Sequence, residues 1–214
     1  MKYRFLQSNK FILTTIYFNI MRYICYTMFL TALLFISFPV IGQSSKENSL
    51  IKLGRVKYSG GGDWYNDPSA EVNLLNYTKQ NTNIPVEPIY TFVDLTADNL
   101  FSFPILFMTG HGNMNLSSKE VSNLKTYLEA GGFLYIDDDY GFYDFVVREM
   151  RKVFPDQKFV ELPFSHPIFN CHFEFPNGVP KVHAHDEKQP QSFGLFIDNR
   201  LCVLFTFESN PSDG

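Results

Sequence analysis

The chain has 214 residues, room for one domain of ordinary size plus an appendage. Its 45% hydrophobic and 17% aromatic content, with 23 Phe, is ample for a core. Lys2, Arg4, Lys10 and Arg22 have no acid beside them in the first 42 residues, so the overall charge of −4 leaves −8 on the remainder. An acidic body excludes nucleic acid and anionic membrane as partners, since either would need a basic face.

The first stretch reads as a secretory signal peptide over residues 1–42. Arg22 precedes the uncharged run from Tyr23 to Ile41, and Val40-Ile41-Gly42 before Gln43 is a plausible cut. Met21 is a natural start for a signal of ordinary length, which makes residues 1–20 an over-long start. The rival reading is an uncleaved anchor, because about 19 apolar residues can span a bilayer. Either way the body is exported to the periplasm or cell envelope, and only an uncleaved segment would bring it to a membrane. Residues 43–50 are polar and read as a linker.

From residue 51 the pattern is that of an α/β domain. Ile51–Tyr58 alternates as a strand and runs into Ser59-Gly-Gly-Gly-Asp-Trp-Tyr-Asn66, which holds the sole Trp. Asp67-Pro68 predicts a helix start, with Asp as N-cap and Pro first, running to about Thr82 over Val72 and Leu75. Pro85 and Pro88 stop it, and Tyr90–Val93 is the next strand. Ile105–Thr109 is a continuous apolar run, as in a strand covered on both faces. Gly110-His-Gly112 then turns the chain, and Ser117-Ser-Lys-Glu120 is a capping box opening a helix that Gly131 closes. Phe133–Ile136 predicts a strand ending on the loop Asp137-Asp-Asp-Tyr-Gly141. A short helix over 142–154 and a strand over Lys158–Leu162 follow. Strands interleaved with helices imply an open, mostly parallel sheet in three layers.

Beyond Leu162 five prolines punctuate an irregular stretch holding four of the five His. Phe193–Ile197 and Leu201–Phe207, joined around Asp198-Asn199, make a C-terminal β-hairpin. The chain stops straight after a strand, which suggests truncation at the C-terminus. Cys171 and Cys202 either pair in an oxidising compartment or stay as two buried thiols.

Ligands of open parallel sheets bind outside the carboxyl ends of the strands. Three unusual loops meet that edge: Gly61, Gly62, Asp63 and Trp64; Gly110, His111 and Gly112; and Asp137, Asp138, Asp139 and Tyr140. Glycines let backbone approach a ligand, with His111 projected between two of them. His111 with Asp137 or Asp138 would make an acid–base pair. Alternatively, His111 only hydrogen-bonds a neighbouring loop and the aspartates cap helices. Trp64 is either a sugar-stacking platform or a seal on the core. In an extended segment His183 and His185 face one side, which suits a metal or a carboxylate partner. No third zinc ligand is assured, no cofactor is required, and a divalent metal on the paired aspartates remains open. There is no Walker A, no dinucleotide fingerprint and no nucleophile elbow.

Several separated motifs occur together in order. They are Tyr58-Ser-Gly-Gly-Gly-Asp-Trp-Tyr65, Phe107-Met-Thr-Gly-His-Gly112, Leu128-Glu-Ala-Gly-Gly-Phe-Leu-Tyr-Ile-Asp-Asp138, Arg148-Glu-Met150, Leu162-Pro-Phe-Ser-His-Pro-Ile-Phe169 and Asp213-Gly214. On these the chain resembles the domain-of-unknown-function 4159 family of exported bacterial domains, over about residues 54–214. That family is similar to class I glutamine amidotransferase-like and trehalose-utilisation-type domains. The resemblance implies a flavodoxin-like sheet but no established activity. Amidotransferases place a nucleophilic Cys on a strand-to-helix elbow, and neither candidate elbow here has Cys or Ser. Two functions stay open. One is an envelope domain binding a small polar, carbohydrate-like ligand or a protein segment. The other is a His/Asp acid–base or metal-assisted hydrolase.

Overall fold

A computed structural model describes residues 20–28, 50–183, 185 and 187–213. The chain divides into two compact units, Met1–Glu47 and Asn48–Gly214. In the first, residues 20–28 form a helix, α1. The rest of the expected signal peptide and nearly all of the linker lie outside the described residues. Among the described residues no helix is long and apolar enough to cross a membrane.

The second unit is α/β, built on one seven-stranded sheet in the order β2-β1-β3-β4-β7-β6-β5. Its strands are β1 (Ile51–Lys57), β2 (Val86–Asp94), β3 (Ile105–His111), β4 (Phe133–Tyr140), β5 (Val160–Glu161), β6 (Gln191–Ile197) and β7 (Arg200–Phe207). The first five in spatial order, β2 to β7, run parallel. β6 and then β5 add antiparallel at the far edge. Lys158–Leu162 is therefore not another parallel strand but a two-residue edge piece. The expected hairpin is β6–β7, and its turn residues Asp198 and Asn199 hold φ of 49° and 65°. Both central residues of a two-residue type I′ turn need positive φ, and Asp and Asn tolerate it.

Three main helices cover the sheet: α2 (Ala70–Asn81), α3 (Ser118–Glu129) and α4 (Tyr143–Val153). Leu124 and Leu128 of α3 and Val146, Met150 and Val153 of α4 are buried in the main core with Val56, Leu106, Met108, Leu134, Ile136 and Phe205. Leu75 of α2 packs separately with Leu53, Val86 and Phe107. Strand alternation puts successive side chains on opposite faces, so α2 lies on one face and α3 with α4 on the other.

Local sequence explains most boundaries. Ser117 Oγ accepts from Glu120 N while the Glu120 side chain accepts from Ser117 N, so the capping box starts α3 as written. Gly131 follows with φ of 109°. Pro88 lies inside β2, which is tolerated because β2 is an edge strand and its proline need not donate to a neighbour. Two expectations fail. Asp67-Pro68 does not open α2: Asp67 has φ of 51° and the helix begins at Ala70 without a side-chain cap. The aspartate triplet is not a loop, because β4 runs through it to Tyr140. Cys202 is a buried thiol and Cys171 an exposed one, and they are unpaired.

Candidate functional site

Register brings the expected loops together. Thr109 aligns with Asp137 and Gly110 with Asp138 along β3–β4, with a bulge before His111. The loop after β1 and the loop after β3 are stitched by Gly62 N to Asn113 O (2.9 Å) and Asn115 N to Ser59 O (2.7 Å). Gly110 is confined: a Cβ there would sit 2.3 Å from the Tyr58 hydroxyl, and its φ is 141°. Gly62 is equally confined, with the carbonyls of His111 and Asn113 at 2.7 and 2.9 Å from such a Cβ. Gly61 and Gly112 instead border open space.

This packing aims His111 at two carboxylates. Asp63 accepts the His111 backbone N–H at 2.5 Å and lies 2.8 Å from its ring Nδ1. Nε2 lies 2.5 Å from Asp139 Oδ2, which also accepts from Asn66 Nδ2 at 3.0 Å. The row continues through His183. Its Nδ1 is 3.8 Å from Asp139 Oδ1, and its Nε2 is 3.0 Å from Asp213 Oδ2. Asp63, His111, Asp139, His183 and Asp213 thus alternate acid and imidazole along the strand ends. The His111 and His183 side chains are 44% and 50% exposed, whereas Asp139 is 8% exposed, so the imidazoles and not the central acid meet solvent.

Electrostatics follow from this order. Burial works against the Asp63 charge, but the backbone and ring N–H groups of His111 outweigh it and hold that carboxyl below its ordinary range. Burial also disfavours the His111 imidazolium; the Asp63 hydrogen bond and the charges of Asp139 and Asp63 win, and its pKa is raised. Asp67 is pushed up by burial and by the charges of Asp213 and Asp139, against a hydrogen bond from Ser212.

The two expected acid–base aspartates stand apart from His111. Alternation along β4 turns Asp137 to the Asp139 side and Asp138 to the other. Asp137 accepts from Thr206 Oγ1 at 2.5 Å and Ser212 N at 2.9 Å, and burial lifts it to about 6. Asp138 accepts from Phe142 N at 2.9 Å, just before α4, and burial lifts it to about 7. Both are fully buried. The acid partnering His111 is Asp139, with Asp63 behind it.

Trp64 packs against the core edge-on to Phe92 and Tyr65, with Lys57 Nζ 5.4 Å from its ring centre. Tyr65 in the same loop is 62% exposed, and Tyr140 at the end of β4 is 52% exposed, its ring 4.3 Å from that of His185. His166 accepts from Ile168 N, and His172 packs on Phe173, so both serve the irregular segment.

The deciding match is a family profile over residues 52–214, described as a domain of unknown function (DUF4159). The chain belongs to that family. No curated protein matches it. Among the described residues of this DUF4159 domain, no group of three His, Cys, Asp or Glu side chains is arranged to hold a metal ion.

Sequence reading missed what holds the DUF4159 loops in place. Arg55 is fully buried in β1 and binds both carboxylate oxygens of Glu71, one at 2.5 Å, plus the carbonyls of Asn66 and Asp67. An arginine inside a strand covered on both faces was the available signal, because it requires a buried acid. Glu149 does the same work for the His111 loop: it accepts from Leu116 N at 2.8 Å, Arg148 Nε at 2.7 Å and Lys152 Nζ at 2.6 Å. Replacing Glu149 with Leu strands a buried N–H and should cost about 1–3 kcal/mol. Thermal or urea unfolding checks this; a change within about 0.5 kcal/mol, the range of an ordinary surface substitution, would mean the carboxylate is not holding the loop.

Proposed function

We propose that the strand ends form a binding site for a small polar ligand that donates hydrogen bonds, a carbohydrate-like polyol in the first instance. The supporting observation is the row Asp63–His111–Asp139–His183–Asp213, whose solvent-facing imidazoles and outer carboxylates, Asp63 and Asp213, can exchange hydrogen bonds with hydroxyls. It lies where β1 and β3 diverge in the spatial order β2-β1-β3-β4-β7. That order is flavodoxin-like, and such sheets bind ligands at this switch point. The exposed rings of Tyr140 and His185 supply an apolar face beside the row, as sugar sites use. The lack of a Cys or Ser at either turn argues against glutaminase chemistry. The apolar run after Arg22 supports a place in the cell envelope, where glycans and envelope proteins are the available partners.

The test is a thermal shift of the full chain with glucose, N-acetylglucosamine and maltose, beside His111→Ala and Asp139→Asn. A ligand at about 100 times its Kd stabilises the folded state by roughly 2.7 kcal/mol. The expected result is a raised midpoint that both variants lose. Unchanged midpoints with all three sugars would sink the carbohydrate reading.

A second reading rests on His111 alone: an exposed imidazole with a raised pKa, gripped by two carboxylates, has the form of a general acid. Hydrolysis of an unactivated glycoside such as maltose, whose alkoxide leaving group needs a proton, should then fall as pH rises through the His111 pKa. It should also vanish in His111→Ala. Activity that survives His111→Ala would exclude this role.

A further inference from the structure

On the α2 face the sheet is incompletely covered. Leu75 packs down over Leu53, Val86 and Phe107, but Ile105 and Tyr135 are only partly buried. Beside α2 lies a cavity of about 490 Å³ whose apolar walls are Leu53, Leu74, Tyr77, Ile105, Phe107 and Tyr135. This volume is in the range of small-molecule sites, which are mostly apolar with a few polar groups at one end. Leu74 and Tyr77 are exposed on the helix side, at 53% and 42%.

Two polar groups of this slot are already engaged. Glu71, on the wall, is bound by Arg55. The Tyr135 hydroxyl lies 3.2 Å from Thr206 Oγ1, which donates to Asp137. Asn73 and the Tyr77 hydroxyl add neutral polar groups on the helix side, so the slot carries no unpaired charge and suits a hydrocarbon chain.

Its end is a single turn, Pro211–Asp213. Pro211 and Ser212 line the slot. Ser212 is tied by its N–H to Asp137 and by its hydroxyl to Asp67. The next residue, Asp213, belongs to the imidazole–carboxylate row through His183. The apolar slot and the polar row are thus the two sides of one turn.

From this adjacency we propose that the ligand is a single-chain amphiphile that crosses the turn, its hydroxylated head in the row and its alkyl chain in the slot beside α2. The proposal rests on the polyol reading of the row and adds the chain to it.

The experiment titrates the full chain calorimetrically with three probes below any micelle concentration: methyl β-D-glucoside, n-octyl β-D-glucoside and n-octanol. Leu74→Glu puts a charge at the exposed mouth, and Ile105→Trp fills the slot. Octyl glucoside should bind roughly tenfold or more tighter than methyl glucoside, because buried methylenes add affinity. Both slot variants should lose that advantage while keeping methyl glucoside binding. His111→Ala should lose methyl glucoside and keep octanol. Equal affinity for the two glucosides, or an octyl advantage untouched by both slot variants, overturns the chain-binding slot. Octanol binding that is sensitive to Leu74→Glu, without any glucoside head contribution, supports the slot and defeats the polyol reading of the row.

Discussion

Arg55→Ala should lower the unfolding free energy by about 3–5 kcal/mol, the range for breaking a buried ion pair from one side. Arg55 and Glu71 are 0% and 1% exposed, so removing the guanidinium leaves a carboxylate buried without its partner. The guanidinium carbon also lies 5.2 Å from the ring centres of both Tyr90 and Phe107, so packing is lost with the charge. The double variant Arg55→Met/Glu71→Leu isolates the cause. Replacing both charges with apolar groups should recover much of the loss, since well-packed hydrophobic substitutes for buried pairs are often neutral. Recovery should stay incomplete, because the carbonyls of Asn66 and Asp67 lose their donor in either variant. Urea unfolding gives all three values. A single-variant loss under 1 kcal/mol would show that the pair is not what fastens this loop. The same variant should also weaken the proposed polyol binding, because Asn66 donates to Asp139 in the row.

The elements that sequence reading placed well are those decided within a few residues. The capping box at Ser117 and Glu120, the Asp198-Asn199 turn and the apolar run of β3 each carry a complete local reason. Where long-range partners decide, local rules fail. Asp67-Pro68 has the form of a helix start, yet Arg55, twelve residues upstream, takes the Asp67 carbonyl and the helix begins later. Three consecutive aspartates read as a loop because buried acids are costly. Here Phe142 N, Thr206, Ser212, Asn66 and His111 meet those carboxylates, and β4 continues through them. The meeting of the loops after β1, β3 and β4 at one edge was legible, since parallel topology alone gathers them. Which aspartate reaches His111 was not legible. It follows from strand alternation, which places Asp139 beside the ring only once the triplet is known to be strand.

Asp138→Asn should remove a pH-dependent loss of stability that the wild-type chain carries. Asp138 lifts to about 7, first by burial and then by the charges of Glu208 and Asp137, against the hydrogen bonds it accepts. Below the unfolded-state value of about 4 the group is protonated in both states and contributes no pH dependence. Between about 4 and 7 the folded chain keeps a proton that the unfolded chain releases, so folding weakens as pH rises. Above about 7 both states are ionised and the loss is complete. A displacement of about three pH units corresponds to roughly 4 kcal/mol at most, and about 2–4 kcal/mol is the expected difference. Asparagine retains an oxygen for the Phe142 N–H and cannot ionise. The variant should therefore match wild type near pH 4 and exceed it at pH 8, the gap opening across the interval. Urea midpoints for both proteins at one-unit pH steps decide the matter. Parallel curves, or a variant weakest at high pH, would mean that Asp138 is ionised in the folded chain and that its charge stabilises the start of α4. The opposite result, a gap that opens with pH, leaves Asp138 a buried acid that holds its proton to about pH 7 in the folded chain.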